Sequence, residues 1–216
     1  MQAADEYLAE DGLIARLEQQ MRFIVEIDKL KRILRRSYIT DQSRRENDAE
    51  HSWHLAVMAL ILREYASDPD IDLFRVLRMV LIHDLVEIDA GDSFLYDNTG
   101  AELKTKAEQV AANRIFALLP PDQAAEMRPL WEEFEAGVTA EARFSRALDR
   151  LQPLLLIYNT RGRTWQEHGV TAEKALALSP PTIAQGAPKL AEYARQLLLS
   201  AQEKGYFAEE QVSTSG

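Results

Sequence analysis

The chain has 216 residues, 46% of them apolar, and 25 Lys and Arg against 35 Asp and Glu, for a formal charge of -10. That balance argues against a nucleic-acid polymer as partner, because a phosphate backbone is held by Lys and Arg that replace its counterions. There is no cysteine, which excludes a disulfide framework, a thiolate metal site and a Cys nucleophile, so any metal must be held by imidazole and carboxylate.

Helical periodicity runs almost throughout, and the expected fold class is all-α: a single domain over residues 1–216, with no membrane partner and a cytoplasmic location, since neither a leader pattern nor a run of about 20 apolar residues occurs. Leu13, Leu17, Met21, Ile24, Ile27 and Leu30 recur every three or four positions, which predicts one long amphipathic helix from Asp11 to Arg36. Asp48 is a plausible cap for a second helix ending at Tyr65 before "SDPD". A third is expected from Asp70 through Phe74, Leu77 and Leu81 to Ala90, with Gly91 as its stop and "GDSFLYDNTG" as a loop. Ala101–Leu119 and Pro121–Phe134 follow, divided by Pro120 and Pro121. Thr139–Thr160 reads as a sixth helix, kinked at Pro153. "SPPTIAQGAP" reads as a loop, and a last helix runs from Ala187 to about Lys204.

Only four histidines occur, at 51, 54, 83 and 168. In "LIHDLVEIDAGD" (81–92), His83 and Glu87 are four apart and share a helix face with Val76 and Val80, so both point inward. His51 shares a face with Leu55, Met58 and Leu62. In "SRALDRLQPLLLIY", Asp149 stands beside an apolar run, where a carboxylate must be paired, protonated or bound to a cation. Two imidazoles and two carboxylates converging from three helices suit a divalent transition metal. Taken singly, each residue has a plainer reading: His83 as a hydrogen-bonded core residue, Asp149 as a surface partner of Arg146 or Arg150, His54 as packing or a supporting hydrogen bond, and His168 on an exposed loop.

The ordered set "AEHSWHLAVMAL", "LIHDLVEIDAGD" and "SRALDRLQPLL" resembles the HD-domain metal-dependent phosphohydrolases, in the branch that includes 5'-deoxynucleotidases acting on nucleoside monophosphates. The resemblance spans about residues 30–160. It implies an all-helical core and one divalent metal ion (Mn, Co, Fe, Ni, Zn or Mg) held by His51, His83, Asp84 and Asp149. It also implies hydrolysis of a small phosphomonoester by metal-activated water. Glu87 and Asp92 match the acidic positions implicated in catalysis, and Arg36 matches an arginine upstream of the first ligand histidine whose planar fork suits phosphate oxygens. The sequence departs from the branch where a tryptophan linked to sugar discrimination would follow: here Ser37 and Tyr38 stand. Phosphodiesters, nucleoside triphosphates and a non-catalytic sensing role are the alternatives, and a homodimer is expected from the resemblance.

Overall fold

The structure, a computed structural model, describes residues 2–92, 94–96 and 101–208. Part of the expected 91–100 loop, Ser93 and residues 97–100, lies outside the described residues. So does the polar tail from 209 onward.

The fold is helical apart from one small antiparallel pair of strands. Helix α1 (Gln2–Ile27) gives way to a 3-10 turn (Asp28–Arg32), then β1 (Leu34–Tyr38) pairs with β2 (Arg45–Asn47), joining Leu34 to Asn47 and Tyr38 to Arg45. This corrects the expectation of one helix to Arg36. The helical stripe ends at Leu30, which is buried, and "ILRRSY" pairs instead with the approaching 45–47 segment. On the helix itself Leu13, Leu17, Met21 and Ile24 are all exposed.

Helix α2 spans Asp48–Leu62 and α3 spans Leu73–Ile82. The expected single helix 70–90 is broken after Ile82 by a 3-10 turn, His83–Val86, and resumes as the short α4 (Glu87–Ala90), which Gly91 ends at φ 78°. Tight turns of this kind inside a helix are common at functional hinges and strained sites. Helices α5 (Ala101–Phe116), α6 (Pro121–Ala136) and α7 (Ala140–Asn159) fall close to expectation. Pro153 lies inside α7, and its missing N–H leaves the Asp149 carbonyl without the usual helical donor. The short α8 (Arg163–Glu167), α9 (Ala172–Gly186) and α10 (Pro188–Glu203) complete the chain. Helix α9 overturns the loop expected at "SPPTIAQGAP": Pro180 and Pro181 sit within it, and burial of Ala175, Ser179 and Ile183 against α7 and α10 outweighs the helix-breaking cost.

Two large apolar clusters fill the interior, with a small third one of Met79, Leu130, Phe134 and Ala142. One joins α2, α3, α7, α9 and α10 around Leu55, Val80, Phe144, Leu151, Trp165 and Leu198. The other packs Leu30, Leu85, Val86, Ile115, Phe116 and Trp131. The turn carrying His83 and Asp84 lies between them, since Val80 belongs to the first and Leu85 to the second. No helix among the described residues is long and apolar enough to cross a membrane.

One turn makes the packing testable. Gly162 precedes α8 at φ 77°, and a Cβ there would lie 1.8 Å from the Tyr206 carbonyl oxygen. Gly162→Ala combines a left-handed backbone with a clash against main chain, so it is expected to destabilise by about 3 kcal/mol. Scanning calorimetry should show a Tm lower by roughly 6–12 °C; a shift below about 2 °C would mean that the α8 turn is free to rearrange.

Candidate metal centre

The site begins with a well-fixed helix start. Asn47 closes a capping box on α2, its side chain accepting from Glu50 N at 3.0 Å while the Glu50 carboxylate accepts from Asn47 N at 3.3 Å. This sets the register that turns Asp48 and His51, both fully buried, toward the interior. His83 and Asp84 arrive from the 3-10 turn and Asp149 from α7, three residues before Gln152 on the same face.

The imidazoles are held by their outer nitrogens. His51 Nδ1 lies 2.9 Å from Gln152 Oε1, and the Gln152 amide in turn donates to Glu46 Oε1 at 2.7 Å and to His54 Nδ1 at 3.0 Å. Because the Gln152 nitrogen is committed to a carboxylate, its oxygen must accept from His51, which places the His51 proton on Nδ1 and a lone pair on Nε2. His83 Nδ1 donates to the Val80 carbonyl at 3.0 Å, with the same consequence.

Both Nε2 atoms face carboxylates. His51 Nε2 is 3.0 Å from Asp149 Oδ1 and 4.0 Å from Asp84 Oδ2; His83 Nε2 is 3.0 Å from Asp84 Oδ1 and 3.7 Å from Asp149 Oδ1. His83 Nε2 is buried and makes no hydrogen bond. Lone pairs set against anions at this range require a proton or a cation between them. The spacing also suits an ion, since donors about 2.0–2.2 Å from one metal stand roughly 3.0–3.6 Å apart. Two imidazole nitrogens with the Asp149 carboxylate, and Asp84 beside them, fit a divalent transition-metal ion, both rings being fixed from behind by hydrogen bonds and Asp84 by Arg35.

The charges respond to this crowding. Burial alone would lower His83, but the negative charges of Asp84 and Asp149 outweigh it and raise its pKa to about 8. Burial, and then the Arg35 charge, lowers His51 to about 4, so it stays neutral. Burial would raise Asp149, yet the His51 and His83 rings against it and the nearby Arg150 charge hold it well below the usual carboxylate range.

A second acidic group adjoins the first. Carboxylate oxygens of Asp48, Glu87 and Asp92 lie within 4.8 Å of one another. Burial and the charges of Asp84 and Asp48 push Glu87 well above its ordinary value, and burial with Asp84 raises Asp48 to about 7. Arg35 joins the two groups, its Nη1 donating to Asp84 Oδ2 at 3.0 Å and Asp48 Oδ1 at 3.2 Å.

The structure therefore brings ligand atoms of His51, His83 and Asp149 within 4.8 Å of one another, with Asp84 outside that group but 3.0 Å from His83 through Oδ1 and 4.0 Å from His51 through Oδ2, and with Glu87 and Asp92 in the second group. Arg36 takes no part in these contacts; it lines an adjoining cleft with Phe94, Leu95, Pro153 and Ile157. His54 supports Gln152, and His168 is an exposed turn residue, as expected. Sequence reasoning missed Arg35, Glu46 and Gln152 and took Asp48 only as a cap. Gln152 carried a signal, being a polar residue three positions after Asp149 in an apolar run. Arg35 carried none while β1 was read as helix.

A family model described as HD domain matches residues 27–191, a stretch that contains both acidic groups and both imidazoles. The chain belongs to the HD-domain family. This HD domain resembles the crystal structure of a predicted metal-dependent phosphohydrolase from Magnetospirillum magnetotacticum MS-1, with 57% identity and a TM-score of 0.85 across 90% of this chain and 96% of that one. It is 32% identical over 172 residues to 5'-deoxynucleotidase HDDC2 of Mus musculus, covering 76% of this chain and 83% of the relative. HDDC2 of Homo sapiens is 33% identical over 136 residues, 62% of the HD-domain chain and 65% of the human protein, just under two thirds of its length.

Proposed function

We propose that this HD domain is a metal-dependent phosphohydrolase that converts nucleoside or deoxynucleoside 5'-monophosphates to nucleoside and phosphate. The observation that carries the reading is His83 Nε2, buried without a hydrogen-bond partner and aimed, with His51 Nε2, at Asp84 and Asp149. The names borne by the Magnetospirillum structure and by HDDC2 supply the reaction and the substrate class.

In this reading His51, His83, Asp84 and Asp149 hold one divalent ion, which supplies Lewis acidity toward phosphoryl oxygen and acidifies water. Arg35 keeps Asp84 in place and offsets the surrounding acids. Glu87, whose Oε2 is buried without a partner, moves a proton between water and the departing 5'-oxygen; Asp92 sits beside it and shares that role. Arg36 draws phosphate oxygens toward the cleft, whose walls Phe94, Leu95, Pro153, Leu154 and Ile157 exclude water from the nucleoside. A homodimer closing over the exposed α1 stripe and a cytoplasmic location belong to the same reading; light scattering and cell fractionation decide them.

Sugar discrimination has no support at the position where the family resemblance puts a tryptophan. Ser37 is buried and does not line the cleft, and the Tyr38 hydroxyl donates to Glu167 while its ring centre lies 3.7 Å from the Arg163 guanidinium carbon. Phosphate release should be compared for paired ribo- and deoxyribonucleoside 5'-monophosphates. The expected result is chelator-sensitive turnover of both sugars, within about tenfold in kcat/KM, a gap of 1.4 kcal/mol. If no monophosphate is hydrolysed by metal-loaded protein, the reading fails, and diesters, triphosphates or a sensing role take its place.

A further inference from the structure

Two pockets flank the metal cluster, and both are lined by Arg35, Asp92, Asp149 and Arg150. One is polar and adds Glu87, Lys104, Glu135 and Arg146; the other is the largely apolar cleft. They meet at the four shared residues. A phosphomonoester whose organic part fills the cleft must carry its phosphoryl group at that junction, if the reading above holds.

The cations near the junction differ in how far they are engaged. Arg35 is spent on Asp48 and Asp84. Arg146 donates to the Glu135 carbonyl, and Lys104 pairs with Glu108 at 3.4 Å. Arg150 is different: its side chain is only 29% exposed, yet its guanidinium makes no hydrogen bond to any described residue. Its one ion-pair contact is a long 3.9 Å approach from Nη1 to Asp149 Oδ2. A guanidinium carries five N–H donors in a planar fork, and leaving them unmet in a half-enclosed, acid-rich site is costly. A phosphate dianion is the ligand whose oxygens match that fork.

We propose that Arg150 binds the phosphoryl group of the substrate, and the phosphate product after it, at the junction of the two pockets. It is a substrate-binding residue distinct from Arg35, which positions carboxylates, and it works with Arg36 on the cleft side.

The test uses full-length Arg150→Gln and Arg150→Lys proteins loaded with Mn, titrated with inorganic phosphate by calorimetry and assayed for KM and kcat on a nucleoside 5'-monophosphate. Metal content and thermal unfolding are measured in parallel. For Arg150→Gln, phosphate Kd and KM are expected to rise at least about tenfold, with kcat changed less than about threefold and Mn retained; Arg150→Lys should recover part of the loss by keeping the charge without the fork. Unchanged phosphate Kd and KM would overturn the proposal. So would loss of Mn with a fall in kcat alone, because Arg150 would then only position Asp149. Phosphate titration needs no turnover, which separates the two readings. If no nucleotide is hydrolysed but phosphate binding still depends on Arg150, the nucleotidase reading fails and this one stands; if wild-type protein binds no phosphate, this one falls.

Discussion

Alanine at His83 is expected to remove the metal and the activity together. His83 Nε2 is one of two imidazole nitrogens in the cluster, and its orientation is set by the Val80 carbonyl on the far side of the ring. Without it, Asp84 and Asp149 remain as buried carboxylates facing a single imidazole, a poor site for a transition metal. Bound Mn after gel filtration should fall below about a tenth of the wild-type content, and kcat/KM by about 1000-fold or more, since the Lewis acid goes with the ligand. Elemental analysis beside a phosphate-release assay checks both. Wild-type metal content in His83→Ala would mean that the cluster binds cations without this ring and that its assignment as a ligand is wrong.

Glu87→Gln is expected to separate binding from chemistry. The substitution keeps the shape but cannot exchange a proton, and Glu87 lies in the Asp48 and Asp92 group rather than among the imidazoles. General acid–base groups typically contribute about 100- to 10,000-fold. A fall in kcat of that order, with KM and Mn content close to wild type, is the predicted outcome. Loss of Mn instead would place Glu87 among the ligands, and undiminished kcat would leave proton transfer to Asp92 or solvent.

Three residues of the cluster were legible because a polar side chain on an apolar helix face is turned inward, whereas Asp84 entered through the family resemblance. His51, His83 and Asp149 each interrupt an apolar stripe, and the structure brings their ligand atoms within 4.8 Å of one another, with Asp84 against His83. What sequence periodicity could not show was backbone that departs from the α-helix for tertiary reasons. Helical spacing past Leu30 hid β1, whose strand geometry turns Arg35 to the acids, while Arg36, named from the family resemblance, lines the adjoining cleft. The break at His83 was equally invisible, for "LIHDLVEIDA" has neither glycine nor proline before Gly91. In the opposite direction, Pro180 and Pro181 suggested a loop where burial of α9 against α7 and α10 sustains a helix. Glu46 and Gln152 were missed because their roles lie in a contact made across 106 residues of chain, and Asp48 because its partners Arg35, Glu87 and Asp92 come from other elements.

The central claim, that this HD domain hydrolyses a phosphomonoester through a metal held by His51, His83, Asp84 and Asp149, is tested most directly by stripping and restoring the ion. Protein freed of metal by chelation and dialysis should release no phosphate from a nucleoside 5'-monophosphate, and addition of Mn or Co should restore turnover with a half-maximal effect near one ion per chain. Turnover that survives stripping, or that no divalent ion restores in protein shown to remain folded, would contradict it.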